Sequence, residues 1–277
     1  MIKRIGMLTS GGDCQALNAT MRGVVKGLSN NLDELEVYGF DDGYKGLIYG
    51  KYRMLTSKDF SGILTQGGTI LGTSRQPFKL MRVPDENGLD KVEAMKQTYY
   101  KLCLDCLVIL GGNGTQKTAN LLREEGLNII HLPKTIDNDL AVTDHTPGFG
   151  SAAKFIAATM KEIIRDGLVY DYPTITIVEI MGRNAGWLTA ASALARGEDC
   201  EGVDLIYLPE KVFDIDHFME RVKSIVSKGR SMVIAVSEGI RVMDGRYVFE
   251  LSDHVEFVDA FGHKQLAGSA KFLANKI

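Results

Sequence analysis

The amino-acid sequence predicts an α/β protein with a doubly wound, mostly parallel β-sheet. Three observations support this prediction. Short apolar runs typical of buried strands alternate with longer segments of helical periodicity, and the connections between them are short. Several of these runs end in glycine-rich loops that lead directly into a helical segment. The chain has 277 residues, 45% of them hydrophobic, which suffices for two ordinary domains or one large one.

Composition and charge argue against several classes of protein. The formal net charge is −3, so the chain lacks the global basic field of a non-specific nucleic-acid binder. No apolar run reaches the roughly 18–20 residues that span a bilayer, and the N-terminal segment lacks the features of a signal peptide. A cytoplasmic protein without membrane or nucleic-acid partners is therefore expected. Cys103 and Cys106 form a C-x-x-C pair inside an apolar segment, and both are predicted to be buried thiols.

The first strand–loop–helix unit lies at the N terminus. The pattern predicts a strand over residues 2–8, a glycine-rich loop over 9–13 and a helix over 16–28. Such a unit presents backbone N–H groups and the positive end of a helix to phosphate, with Gly11 in the loop. The alternative is that the two glycines only form a tight turn.

A second strand is predicted over residues 35–40, followed by a turn-rich loop over 42–46. The loop 67–75 is rich in glycine and hydroxyl side chains and ends in Arg75. It could wrap a phosphate with Arg75 as a charge-assisted donor, or be an exposed loop with a solvated arginine. A helix is predicted over 91–102, with Asp90 as its N-cap.

The clearest buried strand covers residues 106–110. It runs into the loop 111–115, and a helix follows to about residue 125. Because the carboxyl ends of parallel strands open on the same crevice, this loop and the N-terminal one are expected to converge. Asn113 and Thr115 would then contact phosphate or metal-bound water, or simply support the turn.

The next predicted strand, 127–132, leads into the segment 134–139, which reads KTIDND. Asp137 and Asp139 lie two residues apart, and Lys134 stands three positions before the first of them. One carboxylate could accept a proton while the other helps to hold a metal. A solvated turn is the alternative, because Asp and Asn are ordinary turn residues.

The C-terminal half repeats the alternation. Its predicted strands cover 174–180, 205–208 and 232–236, and its helices run to about 165 and over 184–195 and 214–228. Arg183 and Glu238 follow strand ends, where Glu238 could accept hydrogen bonds from sugar hydroxyls, while Trp187 is predicted to be a packing residue. A donor held by the first half and a hydroxyl acceptor held by the second would place Asp137 between them, as phosphoryl transfer requires.

In combination, these motifs resemble those of the phosphofructokinase family. They occur in the family's order and at compatible spacing over nearly the whole chain, which makes the set specific although each member alone is weak. The matching stretches are LTSGGD at 8–13, DGYKGL at 42–47, GGTILGTSR at 67–75, GGNGT at 111–115, PKTIDND at 133–139, VEIMGR at 178–183 and SEG at 237–239.

The resemblance implies two doubly wound, mostly parallel α/β domains with the active site in the cleft between them, in a homotetramer or homodimer. Residues 1–140 would bind the phosphoryl donor and residues 141–277 the fructose 6-phosphate. ATP would be the donor, Mg²⁺ the metal ion, and the 1-hydroxyl of the sugar phosphate the acceptor.

The resemblance also implies roles for individual residues. Asp137 would be the catalytic base, assisted by Thr135 and Arg183. The donor would be held by Gly11, Arg75, Gln76, Gly112, Asn113, Gly114, Thr115 and Lys134. The sugar phosphate would be held by Thr135, Ile136, Asp137, Met181, Gly182, Arg183 and Glu238. Asp139 and Asn113 would lie on the metal side.

Two positions bear on the choice of donor. Pyrophosphate-dependent relatives typically carry Asp at the position of Gly114, where the carboxylate would repel the α-phosphate of ATP. They also carry lysine at the position of Lys134, where many ATP users have glycine. Gly114 favours ATP, because steric and charge exclusion is the harder constraint, and pyrophosphate stays the alternative.

Other departures from the family pattern leave a second alternative open. The family often has Asp at the position of Asn113, many relatives have arginine at that of Thr174, and relatives continue beyond residue 277. A non-catalytic homologue that binds nucleotide and sugar phosphate is therefore a further hypothesis. A nicotinamide dehydrogenase is disfavoured, because no G-x-G-x-x-G motif follows the first strand.

Overall fold

A computed structural model describes residues 2–74, 76–251 and 268–277 of the chain. The chain forms two compact units, Met1–Thr135 and Ile136–Ile277. Each unit has its own β-sheet and its own apolar core. The α/β class and the mostly parallel sheets confirm the expectation from the sequence. No helix in the described ranges is long and apolar enough to cross a membrane.

The first unit contains a five-stranded sheet flanked by helices. Its strands are β1 (Lys3–Ser10), β2 (Leu35–Phe40), β3 (Tyr52–Leu55), β4 (Cys106–Gly111) and β5 (Ile129–Pro133). Its helices are α1 (Ala16–Asn31), α2 (Tyr44–Tyr49), α3 (Lys91–Lys101) and α4 (Asn113–Glu124), with short 3₁₀ turns at Ile63–Thr65 and Phe78–Leu80. The strand order is β3-β2-β1-β4-β5, and all neighbours are parallel except β3, which pairs antiparallel with β2.

The composition of β4 and the cap of α3 fit their places in the first unit. Every residue of β4 is buried, which fits its unbroken apolar run and its place between β1 and β5. The N-cap of α3 is also as predicted, since the Asp90 carboxylate accepts hydrogen bonds from the N–H groups of Val92 and Glu93. The carboxyl ends of β1, β4 and β5 lie side by side, because these parallel strands pair up to Gly111 and Pro133.

The second unit contains a three-stranded parallel sheet in the order β6-β8-β7. Its strands are β6 (Ile175–Ile180), β7 (Leu205–Tyr207) and β8 (Met232–Ser237). Its helices are α5 (Phe149–Gly167), α6 (Trp187–Ala190), α7 (Ile215–Val226) and α8 (Ser269–Ala274), with 3₁₀ turns at Ala191–Ala195 and Val248–Leu251. The central strand β8 is wholly buried, and it pairs with β6 in register from Ile175–Met232 to Ile180–Ser237.

The structure differs from the sequence prediction at several positions. Part of the turn-rich loop is the helix α2, and the short strand β3 was not predicted because its four residues do not alternate cleanly. The predicted helix 184–195 is only one turn of α-helix followed by a 3₁₀ turn. Trp187 is not a packing residue, since 55% of it is exposed. Cys103 is exposed on a left-handed turn (φ +51°), whereas Cys106 is buried as predicted.

Candidate active site

The end of β1 and the loop that follows it are joined to the loop 67–74 by hydrogen bonds. The Gly11 N–H donates to the Ser74 carbonyl at 3.4 Å, and the Ser10 hydroxyl donates to the same oxygen at 3.1 Å. The Thr73 hydroxyl donates to the Gly11 carbonyl at 2.7 Å. Two glycine-rich segments more than sixty positions apart therefore form one continuous backbone surface.

Asn18, on α1, anchors the start of the same loop and was not predicted. Its side chain is fully buried. Its amide donates to the carbonyls of Gln66 (3.1 Å) and Gly67 (3.3 Å), and its carbonyl accepts from the Ile70 N–H at 2.9 Å. One side chain thus satisfies three backbone groups of a loop that has no regular secondary structure of its own.

The motif 111–115 is a strand end and a helix start rather than a loop. The helix α4 begins at Asn113, so the first N–H groups of this helix have no acceptor within it and carry the positive end of its dipole. Asn113 and Gly114 are exposed there, and a Cβ atom placed on Gly114 would have no heavy atom within 4 Å. Gly112 is partly buried as the N-cap residue. This helix end therefore has room for an anion.

The Thr115 side chain supports the turn, which is one of the roles predicted for it. It is buried, and its hydroxyl donates to the Ser10 carbonyl at 3.2 Å. Its own carbonyl accepts from the buried Tyr44 hydroxyl at 2.8 Å. These contacts connect α4 to the end of β1 and to α2. The side chain therefore supports the turn.

Lys134 follows β5 and points toward the first glycine-rich loop. Its side chain is 8% exposed, and its ammonium donates to the Gly12 carbonyl. A buried cation is thereby held beside the loop where the sequence predicts donor phosphates. Gln76 is partly buried, and Arg75 lies outside the described residues.

The acidic loop belongs to the second unit and is shaped by Asn138. This residue is buried in the left-handed conformation (φ +56°), which Asn tolerates better than most side chains. Its amide donates to the Asp144 carbonyl at 3.1 Å, and its side-chain carbonyl accepts from the Thr146 N–H at 2.8 Å. Asp137 on one side of it is partly buried, whereas Asp139 on the other is exposed.

The loops after β6 and β8 meet because those strands are paired. The Gly182 N–H donates to the Glu238 carboxylate at 3.3 Å. Burial raises the pKa of the Glu238 carboxyl, and the nearby charge of Asp137 adds to this rise, while the Gly182 N–H and Arg183 oppose it. Asp137 and Arg183 therefore lie close enough to Glu238 in the second unit to influence its pKa, and Met181, two residues before Arg183, is exposed.

The profile of the family described as Phosphofructokinase matches residues 4–276 of the chain. The chain belongs to the phosphofructokinase family. An ATP-dependent 6-phosphofructokinase of Spirochaeta thermophila is 44% identical over 86% of this chain and 64% of its own length. A pyrophosphate–fructose 6-phosphate 1-phosphotransferase of Amycolatopsis methanolica is 37% identical over 99% of this chain and 75% of its own length.

Solved structures agree with the sequence comparison. A pyrophosphate-dependent phosphofructokinase from Marinobacter aquaeolei superposes with a TM-score of 0.76 and 26% sequence identity, covering 99% of this chain and 64% of that one. The chain likewise spans only 64% of the length of the Spirochaeta relative. The family resemblance seen in the motifs is confirmed.

The predicted residues of this phosphofructokinase-family chain fall into two groups. The first unit brings together the loops that contain Gly11, residues 112–115 and Lys134. The second unit contains Ile136, Asp137 and Asp139 together with residues 181–183 and Glu238. Within the described residues, no group of three or more His, Cys, Asp or Glu side chains is placed to hold a metal ion.

Proposed function

We propose that this protein is an ATP-dependent 6-phosphofructokinase, which transfers a phosphoryl group from ATP to the 1-hydroxyl of fructose 6-phosphate in glycolysis. The observation that carries the proposal is the open, uncharged helix start at Gly114, beside two interlinked glycine-rich loops. Family membership supplies the reaction class, and more of its similar relatives are named as ATP-dependent than as pyrophosphate-dependent.

In the first unit, the donor phosphates lie against the loop that contains Gly11 and bind to backbone N–H groups of residues 112–115. Helix dipole and unpaired N–H groups favour an anion at this position. Arg75 and Gln76 add side-chain donors from the adjoining loop, and Asn113 contacts the metal side of the donor. The Lys134 ammonium adds a positive charge while it holds the Gly12 carbonyl.

In the second unit, Asp137 accepts the proton of the sugar 1-hydroxyl as the new phosphate ester bond forms. Arg183 and Glu238 hold the sugar phosphate, Arg183 through charge on the phosphate and Glu238 through hydrogen bonds from sugar hydroxyls. Thr135 and Ile136 precede the base in the chain, and Met181 and Gly182 precede Arg183, so these four residues complete the lining of the acceptor site.

The residues of the chain suit a Mg²⁺ ion that binds together with the phosphoryl donor. Mg²⁺ in phosphoryl-transfer sites keeps several waters and uses one or two protein carboxylates together with substrate phosphates. The exposed carboxylate of Asp139 meets this need without a dedicated metal cluster. When bound, the ion would neutralise charge that develops on the transferred phosphoryl group.

Pyrophosphate is the second candidate donor, favoured by Lys134. This lysine matches the typical residue of pyrophosphate users, and the Amycolatopsis relative carries that name. Its contact with Gly12 offers a structural reason for a lysine here that is independent of the donor.

A cytoplasmic homotetramer or homodimer is part of the same proposal, and light scattering of the purified protein would measure the assembly.

The test is turnover of fructose 6-phosphate with ATP and, separately, with pyrophosphate at equal concentrations of Mg²⁺. ATP should support the reaction and pyrophosphate should not. Activity with pyrophosphate alone would overturn the choice of donor. Asp137→Ser should abolish turnover but leave fructose 6-phosphate binding, measured by calorimetry, largely intact. Turnover by neither donor, with binding of both ligands retained, would instead support the non-catalytic homologue.

A further inference from the structure

Ser237 is the last residue of β8 and stands between the sheet and the loop that contains Glu238. It is fully buried. Its hydroxyl donates to the Gly182 carbonyl at 2.5 Å and accepts a hydrogen bond from the Gly239 N–H at 3.2 Å. A single hydroxyl thus connects the loop after β6 to the loop after β8.

The peptide groups of Gly182 are held on both sides by consecutive residues. Ser237 binds its carbonyl, and the Glu238 carboxylate binds its N–H at 3.3 Å. Gly182 has φ +141°, and a Cβ atom there would lie 2.5 Å from the Ala185 carbonyl oxygen. Only glycine fits this conformation and this space, and in it both peptide groups of residue 182 have a partner.

Close backbone packing removes the remaining freedom of the two loops. The Glu238 N–H donates to the Ile180 carbonyl at 2.9 Å. A Cβ atom on Gly239 would lie 2.1 Å from the Arg183 carbonyl oxygen. The backbones of both loops are therefore in direct contact, and a shift of residue 182 must also move Arg183 relative to Glu238.

From this geometry we infer that Ser237 is a positioning residue for the acceptor site. Its hydroxyl fixes Gly182 and so keeps Arg183 and Glu238 at the spacing that one sugar phosphate requires. The inference rests on the proposed function, in which Arg183 and Glu238 hold fructose 6-phosphate. Without the hydroxyl, the buried Gly182 carbonyl lacks this partner and the loop rearranges to regain one. Misplacement by about 1 Å is enough to cost up to about a hundredfold in rate.

The test compares Ser237→Ala with Ser237→Thr and with a matched control. Ser192 is also fully buried in the second unit, and its hydroxyl donates to the Thr189 carbonyl at 2.6 Å. Ser237→Ala should raise the KM for fructose 6-phosphate by about tenfold or more and leave the KM for ATP nearly unchanged. Ser237→Thr, which keeps a hydroxyl, should restore most of the loss, and Ser192→Ala should leave both constants near the wild-type values.

Amide hydrogen exchange supplies a readout that does not depend on turnover. In Ser237→Ala, a peptide covering residues 180–184 should exchange about tenfold faster, because the hydrogen bond of the Gly182 N–H loosens with the loop. Ser192→Ala should leave that peptide unchanged. Unchanged exchange in Ser237→Ala, or an equal rise of the sugar-phosphate KM in Ser192→Ala, would overturn the inference. Faster exchange in a protein that never phosphorylates fructose 6-phosphate would instead refute the proposed function while the loop contact stands.

Discussion

Among the glycines of residues 111–115, Gly111 is the one whose substitution by alanine should cause the largest loss of stability. A Cβ atom at position 111 would lie 2.4 Å from both the hydroxyl oxygen and the methyl carbon of Thr115. Thr115 cannot easily withdraw, because it is buried between the Ser10 carbonyl and the Tyr44 hydroxyl. Overpacking of this kind costs about 1–3 kcal/mol. Loss of the Thr115–Ser10 hydrogen bond adds about 1 kcal/mol.

The expected decrease in the free energy of unfolding is therefore about 2–4 kcal/mol, measured by urea denaturation. Gly112→Ala is the matched control, since the nearest atom to its added Cβ would be the Lys134 carbonyl oxygen at 3.7 Å, an ordinary contact. It should change stability by less than about 1 kcal/mol. A loss below about 1 kcal/mol for Gly111→Ala, or equal losses for the two variants, would refute the reasoning.

Three further predictions concern the donor loop, the acceptor loop and the loop anchor. Gly114→Asp should leave stability unchanged, because the site is open, but should reduce ATP turnover about tenfold or more by charge repulsion of the donor phosphates. Glu238→Gln keeps an acceptor for the Gly182 N–H. Burial raises the pKa of the Glu238 carboxyl above its ordinary value. The folded protein therefore favours the protonated carboxyl, and its free energy of unfolding falls as the pH rises from the unfolded pKa through the folded pKa. The variant should therefore be more stable than wild type at neutral pH, by urea denaturation across a pH series, and bind fructose 6-phosphate more weakly. Asn18→Ala should destabilise the protein by about 2–4 kcal/mol, because three backbone groups lose a buried partner, and should raise the KM for ATP.

Each of these has a contrary result. Unchanged ATP turnover in Gly114→Asp would show that the donor phosphates do not bind near residue 114. Parallel stability curves for wild type and Glu238→Gln would show that the carboxyl is not destabilised by burial. An Asn18→Ala variant with wild-type stability would show that water satisfies the three loop groups equally well.

Much of the fold could be predicted from local patterns. The strand β4 and the helix α3 were predicted within a residue or two, because an unbroken apolar run and an Asp cap are signals carried by neighbouring residues. The strand β3 and the helix α2 were missed, since both are short and their positions depend on packing against β2 and α3. Trp187 is predicted to be a packing residue because it is a large aromatic side chain, but residue type alone does not determine burial, and Trp187 is exposed.

The order and spacing of the motifs determined the family, the strand–loop–helix alternation and the candidate residues, because these are local properties of the chain. The tertiary structure decided which polar group meets which. Lys134 reaches a carbonyl 122 positions away, and the hydroxyl of Ser237 meets Gly182 across 55 positions. Asn18 bridges 48 positions to Gln66. Such contacts exist only after parallel strands bring distant loops to one edge of a sheet, so no pattern of neighbouring residues encodes them.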